Sequence, residues 1–304
     1  MIIEALKALF LGIVEGITEW LPISSTGHMV LVDEFLKLNV SSDFLALFLV
    51  VIQIGAIMAV IILYFHKLNP FSPRKTDIER KGTWRLWGMV VIGCIPAAVV
   101  GVFLDDWANE HLYNATVVAS MLILYGIVFI VLERRNRKRE ESTALAGRGR
   151  HARLDGGEAD AGGIFNVQTV DQIDAKTALK IGAFQYLAVV PGTSRSGATI
   201  IGGMLAGCSR TAAAEFTFFL AIPVMLGWGL VKAVKFAAKG LVMTQTEIVV
   251  LVVGIVSAFI VSIISIKFLM GYIKKNDFTV FGWYRIILGV IVLGYFGLKG
   301  AGIF

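Results

Sequence analysis

Glu15-Gly16-Ile17-Thr18-Glu19-Trp20-Leu21-Pro22-Ile23-Ser24-Ser25-Thr26-Gly27-His28 lies inside an apolar stretch, about residues 2–36, and breaks it in two. A bilayer-crossing helix needs about 20 mostly apolar residues, and neither half is that long. Pro22 ends a helix, and the Ser/Thr/Gly run behind it favours a turn or a new N-cap. Backbone broken at membrane depth survives only where protein or a wet cavity covers it. The stretch therefore reads as a re-entrant helix hairpin. A second stretch, about 178–208, has the same build around Pro191-Gly192-Thr193-Ser194-Arg195-Ser196-Gly197.

The rest of the chain agrees with a membrane setting. Of its 304 residues 57% are hydrophobic and 16% charged, against roughly 25% charged in a soluble domain. Two short stretches, 66–85 and 134–176, hold nearly half of the charges. Between them run six apolar stretches long enough to cross, at about 44–65, 86–104, 116–133, 213–235, 247–270 and 283–299. A soluble enzyme is excluded. The net charge of +6 sits in short loops, as expected of basic residues kept on the cytoplasmic side, so no nucleic-acid partner is expected. Cys94 and Cys208 lie far apart in apolar runs and read as small buried hydrophobes. The first apolar stretch carries Glu4, Glu15 and Glu19 and lacks a small-residue cleavage site, so no cleavable signal peptide is expected.

The two breaks resemble one another. Gly12-Ile13-Val14-Glu15 precedes the first and Gly182-Ala183-Phe184-Gln185 the second; Ser24-Ser25-Thr26-Gly27 pairs with Ser194-Arg195-Ser196-Gly197. Phe48–Ile54 and Phe216–Ile222 make a weaker match. The expected fold is an all-α integral membrane protein with six transmembrane helices and two re-entrant hairpins, arranged as an inverted-topology repeat. Residues 1–135 form the first copy, 136–176 a cytoplasmic linker, and 177–304 the second copy. Three spans per copy is odd, so the second enters the membrane upside down, an architecture in which broken helices build a midplane site. Residues 140–175, rich in Gly, Ala and charge, are expected to be disordered. Lys67, Arg74, Lys75, Arg80, Lys81 and Arg85, the Arg134–Arg139 cluster, and Lys274 with Lys275 share one side, which is then cytoplasmic. Asp105, Asp106 and Glu110 fall on the other side, with both termini. Lys232, Lys235 and Lys239 fall there too, against the trend.

Ionisable side chains inside membrane segments are costly and mark function. Glu15 and Glu19 are four apart, on one helical face, and repel unless a cation sits between them. A divalent metal, Mg²⁺ or Ca²⁺, suits such hard oxygen ligands. Arg195, with Ser194 and Ser196 at a helix start, makes an anion site suited to phosphate. His28 can move a proton. Ser24, Ser25 and Thr26 add hydroxyls. Gln53 either lines the cavity or bonds between helices, and Glu215 lies where its span can meet water. His66, His111 and His151 read as solvated. The inventory fits phosphoryl transfer.

The stretch Glu15–His28 resembles the first signature of the undecaprenyl pyrophosphate phosphatase family, the BacA type linked to bacitracin resistance; Pro191–Thr199 resembles the second. The likeness covers nearly the whole chain, with the long 136–175 insert as a departure. It implies a metal-dependent membrane hydrolase that removes the terminal phosphate of undecaprenyl diphosphate. The product is the monophosphate carrier used for peptidoglycan and other wall polymers. It further implies a bacterial plasma-membrane location, with the site open to the outer face; the prenyl tail, being apolar, is expected in a lipid-facing groove between spans, in contact with membrane lipid. The family's essential residues fall on Glu15, Glu19, Ser25, His28 and Arg195, supported by Ser24, Thr26, Ser194 and Ser196. Glu15 and Glu19 are then the metal ligands, Arg195 the phosphate clamp, His28 the base or acid, and Ser25 a nucleophile or donor. The rival readings are a transporter or flippase of a lipid phosphate and a non-catalytic membrane scaffold, and a homodimer is one assembly left open.

Overall fold

A computed structural model describes residues 1–151, 164–240 and 242–302. The helices are α1 (Ile2–Thr18), α2 (Ser25–Phe35), α3 (Ser42–Leu63), α4 (Phe65–Leu68), α5 (Asp77–Leu112) and α6 (Ala115–His151), followed by α7 (Ala175–Tyr186), α8 (Arg195–Leu205), α9 (Arg210–Ala238), α10 (Gln245–Ile273) and α11 (Thr279–Gly300). Among the described residues there is no strand, only a single parallel bridge between Val167 and Cys208. Six helices, α3, α5, α6, α9, α10 and α11, are long and apolar enough to cross a membrane. Five of the six stretches read from the sequence lie within them, and the first, read as about 44–65, matches α3 except at its last two residues, where the helix ends at Leu63. The helix pairs α1/α2 and α7/α8 are the halves of the two broken stretches, and none exceeds 17 residues.

Helix starts follow local chemistry. Ser41, Ser209 and Asp174 cap α3, α9 and α7 by accepting the N–H of Phe44, Ala212 and Thr177. Thr76 with Glu79 and Thr244 with Glu247 form capping boxes for α5 and α10, each satisfying donors that a helix start leaves free. The Thr76 box starts α5 well before the expected apolar stretch, which makes it 36 residues long.

Lipid is as apolar as leucine, so helices in a membrane associate through close approach of small residues. Gly12 and Gly16 let α1 lie on Gly254, Ser257 and Ala258 of α10; Gly182 lets α7 lie on Gly93 of α5; Gly126 and Gly282 bring α6 and α11 together. Partners are exchanged between halves. α1 packs on α10 while α7 packs on α5; α3 meets α10 while α5 meets α9; α3 meets α9 and α6 meets α11.

The ends of each broken pair are tied together. Glu4 near the start of α1 accepts from Lys7 and from Asn39 N at 2.8 Å, and Lys7 donates to the Lys37 carbonyl at 2.6 Å, just past α2. Val167, ahead of α7, exchanges backbone bonds with Gly207 and Ser209, just past α8.

The expected disorder of 140–175 does not hold for its described parts. Residues 140–151 continue α6, and 164–174 pack on the bundle with Val170 and Ile173 buried. Arg85 donates to the carbonyls of Asp171 and Ile173, and Lys67 pairs with Asp171 at 3.4 Å. Val170 and Ile173 are the hydrophobes of its described part that reach the core, and Arg85 supplies donors for its backbone. Residues 152–163 of the expected linker lie outside the described residues. Cys208 is buried and Cys94 half-buried, both free thiols. Glu215 does not simply meet water: it pairs with Lys67 at 3.0 Å.

Gly182→Ala places a methyl against the Gly93 backbone, whereas Gly88 of α5 has open space around it. Overpacking costs about 1–3 kcal/mol. Gly182→Ala is expected to lower the melting temperature of the purified protein, and Gly88→Ala to leave it equal or higher.

Candidate active site

Both breaks end in a strained serine. Ser24 and Ser194 sit at φ 74° and φ 72°, the positive-φ non-glycine positions among the described residues. This region is costly for an L-residue and persists only when the surroundings hold it. Each serine caps the helix that follows: Ser24 Oγ accepts Gly27 N at 3.2 Å and Ser194 Oγ accepts Gly197 N at 3.1 Å. The first N–H groups of α2 and α8 have no carbonyl inside their own helix, so both N-termini present donors and the positive dipole end.

The two N-termini meet at one cavity of about 170 Å³. Glu19, Ser25 and Thr26 line it from the first break; Gly192, Ser194 and Arg195 from the second; Gln53, Val224, Met225 and Trp228 from α3 and α9. Across it, Arg195 Nη2 donates to Glu19 Oε1 at 2.9 Å. Arg195 Nη1 donates to the Thr217 carbonyl at 3.1 Å, while its Nε is buried and unpartnered. Ser25 Oγ donates to Glu19 Oε2 at 3.2 Å. One carboxylate thus joins the guanidinium of one break to the hydroxyl of the other.

Other expected site residues lie beside the cavity rather than on it. Ser24 is fully buried as a cap. Ser196 shares a 3.1 Å bond with Ser194 and donates to the Leu21 carbonyl at 3.4 Å, tying the breaks together. Glu15 is buried one turn before Glu19, with Oε1 unpartnered. His28 turns away: Nδ1 bonds the Ser24 carbonyl at 2.7 Å and Nε2 the Tyr284 hydroxyl at 2.7 Å. Gln53 is among the residues that line the cavity. Of the other histidines, His66 and His111 are exposed, and the side chain of His151 lies outside the described residues.

Sequence reasoning passed over Arg285. It is fully buried, over the Tyr125 ring at 5.6 Å. Nη1 donates to the Pro22 carbonyl at 3.2 Å, and Nη2 to the Gly192 and Thr193 carbonyls, both at 2.9 Å, with Met121 at 3.5 Å. No carboxylate pairs with it among the described residues. One guanidinium therefore holds the backbone of both breaks. The signal was present: Arg285 is an arginine inside an apolar span, the same feature that marks Arg195.

A family model described as bacitracin resistance protein BacA matches residues 8–291, both breaks included. The chain belongs to this family. A relative from Enterococcus faecalis (strain ATCC 700802 / V583), named undecaprenyl-diphosphatase, is 54% identical over 95% of this chain and 96% of its own length. Relatives of the same name from Latilactobacillus sakei subsp. sakei (strain 23K) and Streptococcus thermophilus (strain ATCC BAA-250 / LMG 18311) are 54% and 53% identical, over 96% and 98% of this chain and 98% and 95% of theirs. In this BacA-family chain the Glu19–Arg195 pair and the Arg285 clamp occupy the matched region.

Arg285→Met leaves the carbonyls of Pro22, Gly192 and Thr193 without their donor, at about 1–3 kcal/mol for each buried group left unpaired. Thermal unfolding in detergent is expected to start several degrees lower, with Arg285→Lys between the variant and wild type.

Proposed function

We propose that the chain is an undecaprenyl-diphosphatase, a membrane hydrolase that converts undecaprenyl diphosphate into undecaprenyl phosphate and inorganic phosphate. The observation that carries this reading is the 2.9 Å contact between Glu19 and Arg195, from different breaks, on one cavity wall with Ser25. The names of the relatives support the same substrate. Hydrolysis would remove the diphosphate that bacitracin sequesters and return the carrier to wall synthesis, which is the proposed basis of resistance.

In the proposed mechanism the terminal phosphate enters between the N-termini of α2 and α8. Arg195 clamps it with its free Nε–H and with Nη2 released from Glu19. Ser25 Oγ attacks the terminal phosphorus as its proton passes to Glu19 Oε2, and the bond to the bridging oxygen breaks to free the lipid monophosphate. Water then hydrolyses the phosphoserine. The hydrogen bond between Ser25 and Glu19 supports Glu19 as proton acceptor. His28, bonded to the Ser24 carbonyl and Tyr284, would position the first turn of α2.

A divalent metal, Mg²⁺ or Ca²⁺, fits the donors present. Glu15 offers a buried carboxylate oxygen without a partner, next to Glu19. The described residues contain no cluster of three or more His, Cys, Asp or Glu, so Glu15 and Glu19 would share the ion with phosphate oxygens, as Mg²⁺ sites commonly do. When bound, the ion would offset charge on the diphosphate.

The two broken pairs are proposed to be re-entrant hairpins entering from opposite leaflets, in two inverted copies spanning 1–135 and 177–304. The exchange of packing partners between halves and the matched serine caps support this. The basic loops would face the cytoplasm and the cavity the outer side.

Phosphate release from undecaprenyl diphosphate by protein in detergent is the decisive assay, because no membrane remains to be crossed. Glu19→Ala and Arg195→Ala are expected to stay folded and lose about 10²-fold or more in turnover, on the scale of losing one charge-stabilising donor. Near wild-type rates in either variant would refute the roles given to them. Chelation of divalent ions is expected to abolish release, with recovery on adding Mg²⁺ or Ca²⁺; full activity in chelator would remove the metal. Phosphate trapped on Ser25 after a quenched single turnover would distinguish the covalent route from direct attack by water.

A further inference from the structure

On α9 the positive-inside tendency leaves three lysines unexplained. Lys232, Lys235 and Lys239 lie at the end of α9 opposite the Lys/Arg-rich loops, where basic residues have no topological reason to collect. With Trp228 they are spaced four, three and four residues apart, which puts all four on one face of the helix. That face begins in the cavity: Val224, Met225 and Trp228 are its α9 wall. The Lys232 ammonium lies 5.5 Å from the centre of the Trp228 ring, a cation over an aromatic face. At the outer end Lys239 pairs with Asp43 at the start of α3, which anchors the top of the stripe. Lys235 is exposed between them.

We propose that Lys232 and Lys235 form a capture ramp that draws the diphosphate headgroup of the substrate from the membrane surface along α9, past Trp228, to Arg195. The inference rests on the prenyl-diphosphate reading above. A diphosphate carries several negative charges into a cavity whose own guanidinium is already taken by Glu19. A graded row of cations raises its local concentration at the mouth before that internal pair has to open. A row of like charges leading to a cleft raises association rates by about 10–10³-fold, an effect that falls steeply with ionic strength. Trp228, 38% exposed, gives the ramp an apolar floor on which the first isoprene unit can lie while the headgroup advances.

The test uses farnesyl diphosphate with the full chain in a zwitterionic detergent. Lys232→Met/Lys235→Met is expected to raise KM about 5- to 20-fold, within the range of electrostatic steering, with kcat within about twofold. The same variant is expected to lose most of the salt dependence of kcat/KM, and Lys232→Arg to keep both wild-type values. Lys267→Met, which removes the same charge near the other end of α10, controls for net charge and is expected to change nothing. Binding of radiolabelled farnesyl diphosphate in a Ser25→Ala background reads the ramp without turnover and is expected to weaken by a similar factor. An unchanged KM with an unchanged salt slope, in a wild type that releases phosphate, would overturn the ramp alone. Lysine-dependent binding without any phosphate release would leave the ramp standing and sink the phosphatase reading.

Discussion

A guanidinium with no carboxylate partner among the described residues holds the two breaks together. Two helices are broken inside the bundle, at Pro22 and at Gly192-Thr193, all buried, and each break leaves carbonyls that must find donors. Arg285 is the shared donor: through Pro22, Gly192 and Thr193 it fixes the backbone of both breaks to one planar group. Ser196 adds a second tie through Leu21. With those carbonyls satisfied, the strained serines at 24 and 194 can hold the N-termini of α2 and α8 toward a common cavity.

Charge within that cavity is balanced before any substrate arrives. Glu19 takes Arg195 with one oxygen and Ser25 with the other. An ion pair removed from water costs desolvation that its attraction only partly returns, so the pair is not best understood as a source of stability. In the proposed mechanism it holds the phosphate clamp and the nucleophile in register, and it would open for a ligand that offers the guanidinium better acceptors. Charge-assisted bonds to phosphate meet that condition. Glu15 extends the acidic side of the site with an unpartnered oxygen.

The packing around the breaks leaves the cavity little freedom to drift. α1 and α7, which carry Glu15 and Gln185 at matched positions, lie directly on the backbones of α10 and α5 through Gly12 and Gly182. Each broken pair is thus held by a spanning helix from the other half of the chain. The cavity lies where the halves interlock, and its lining comes from both.

Much was legible in the sequence. Apolar length against bilayer thickness identified all six candidate spans, because that pattern depends only on local composition. Pro22 and Pro191 with their Ser/Gly runs marked both breaks, and ionisable side chains at Glu15, Glu19 and Arg195 inside apolar stretches marked the candidate site, since burying charge in lipid is expensive wherever it occurs. The end of the 140–175 segment was misread, because Val170 and Ile173 are too few to signal a core that the rest of the bundle supplies. Tertiary structure alone decided who meets whom. It turned His28 toward Tyr284 rather than the cavity, joined Glu19 to Ser25, and put Arg285 between two breaks that lie 169 positions apart when counted from Pro22 to Pro191. Hydrogen-bond partners depend on distances across the fold, and no local pattern of residues encodes them.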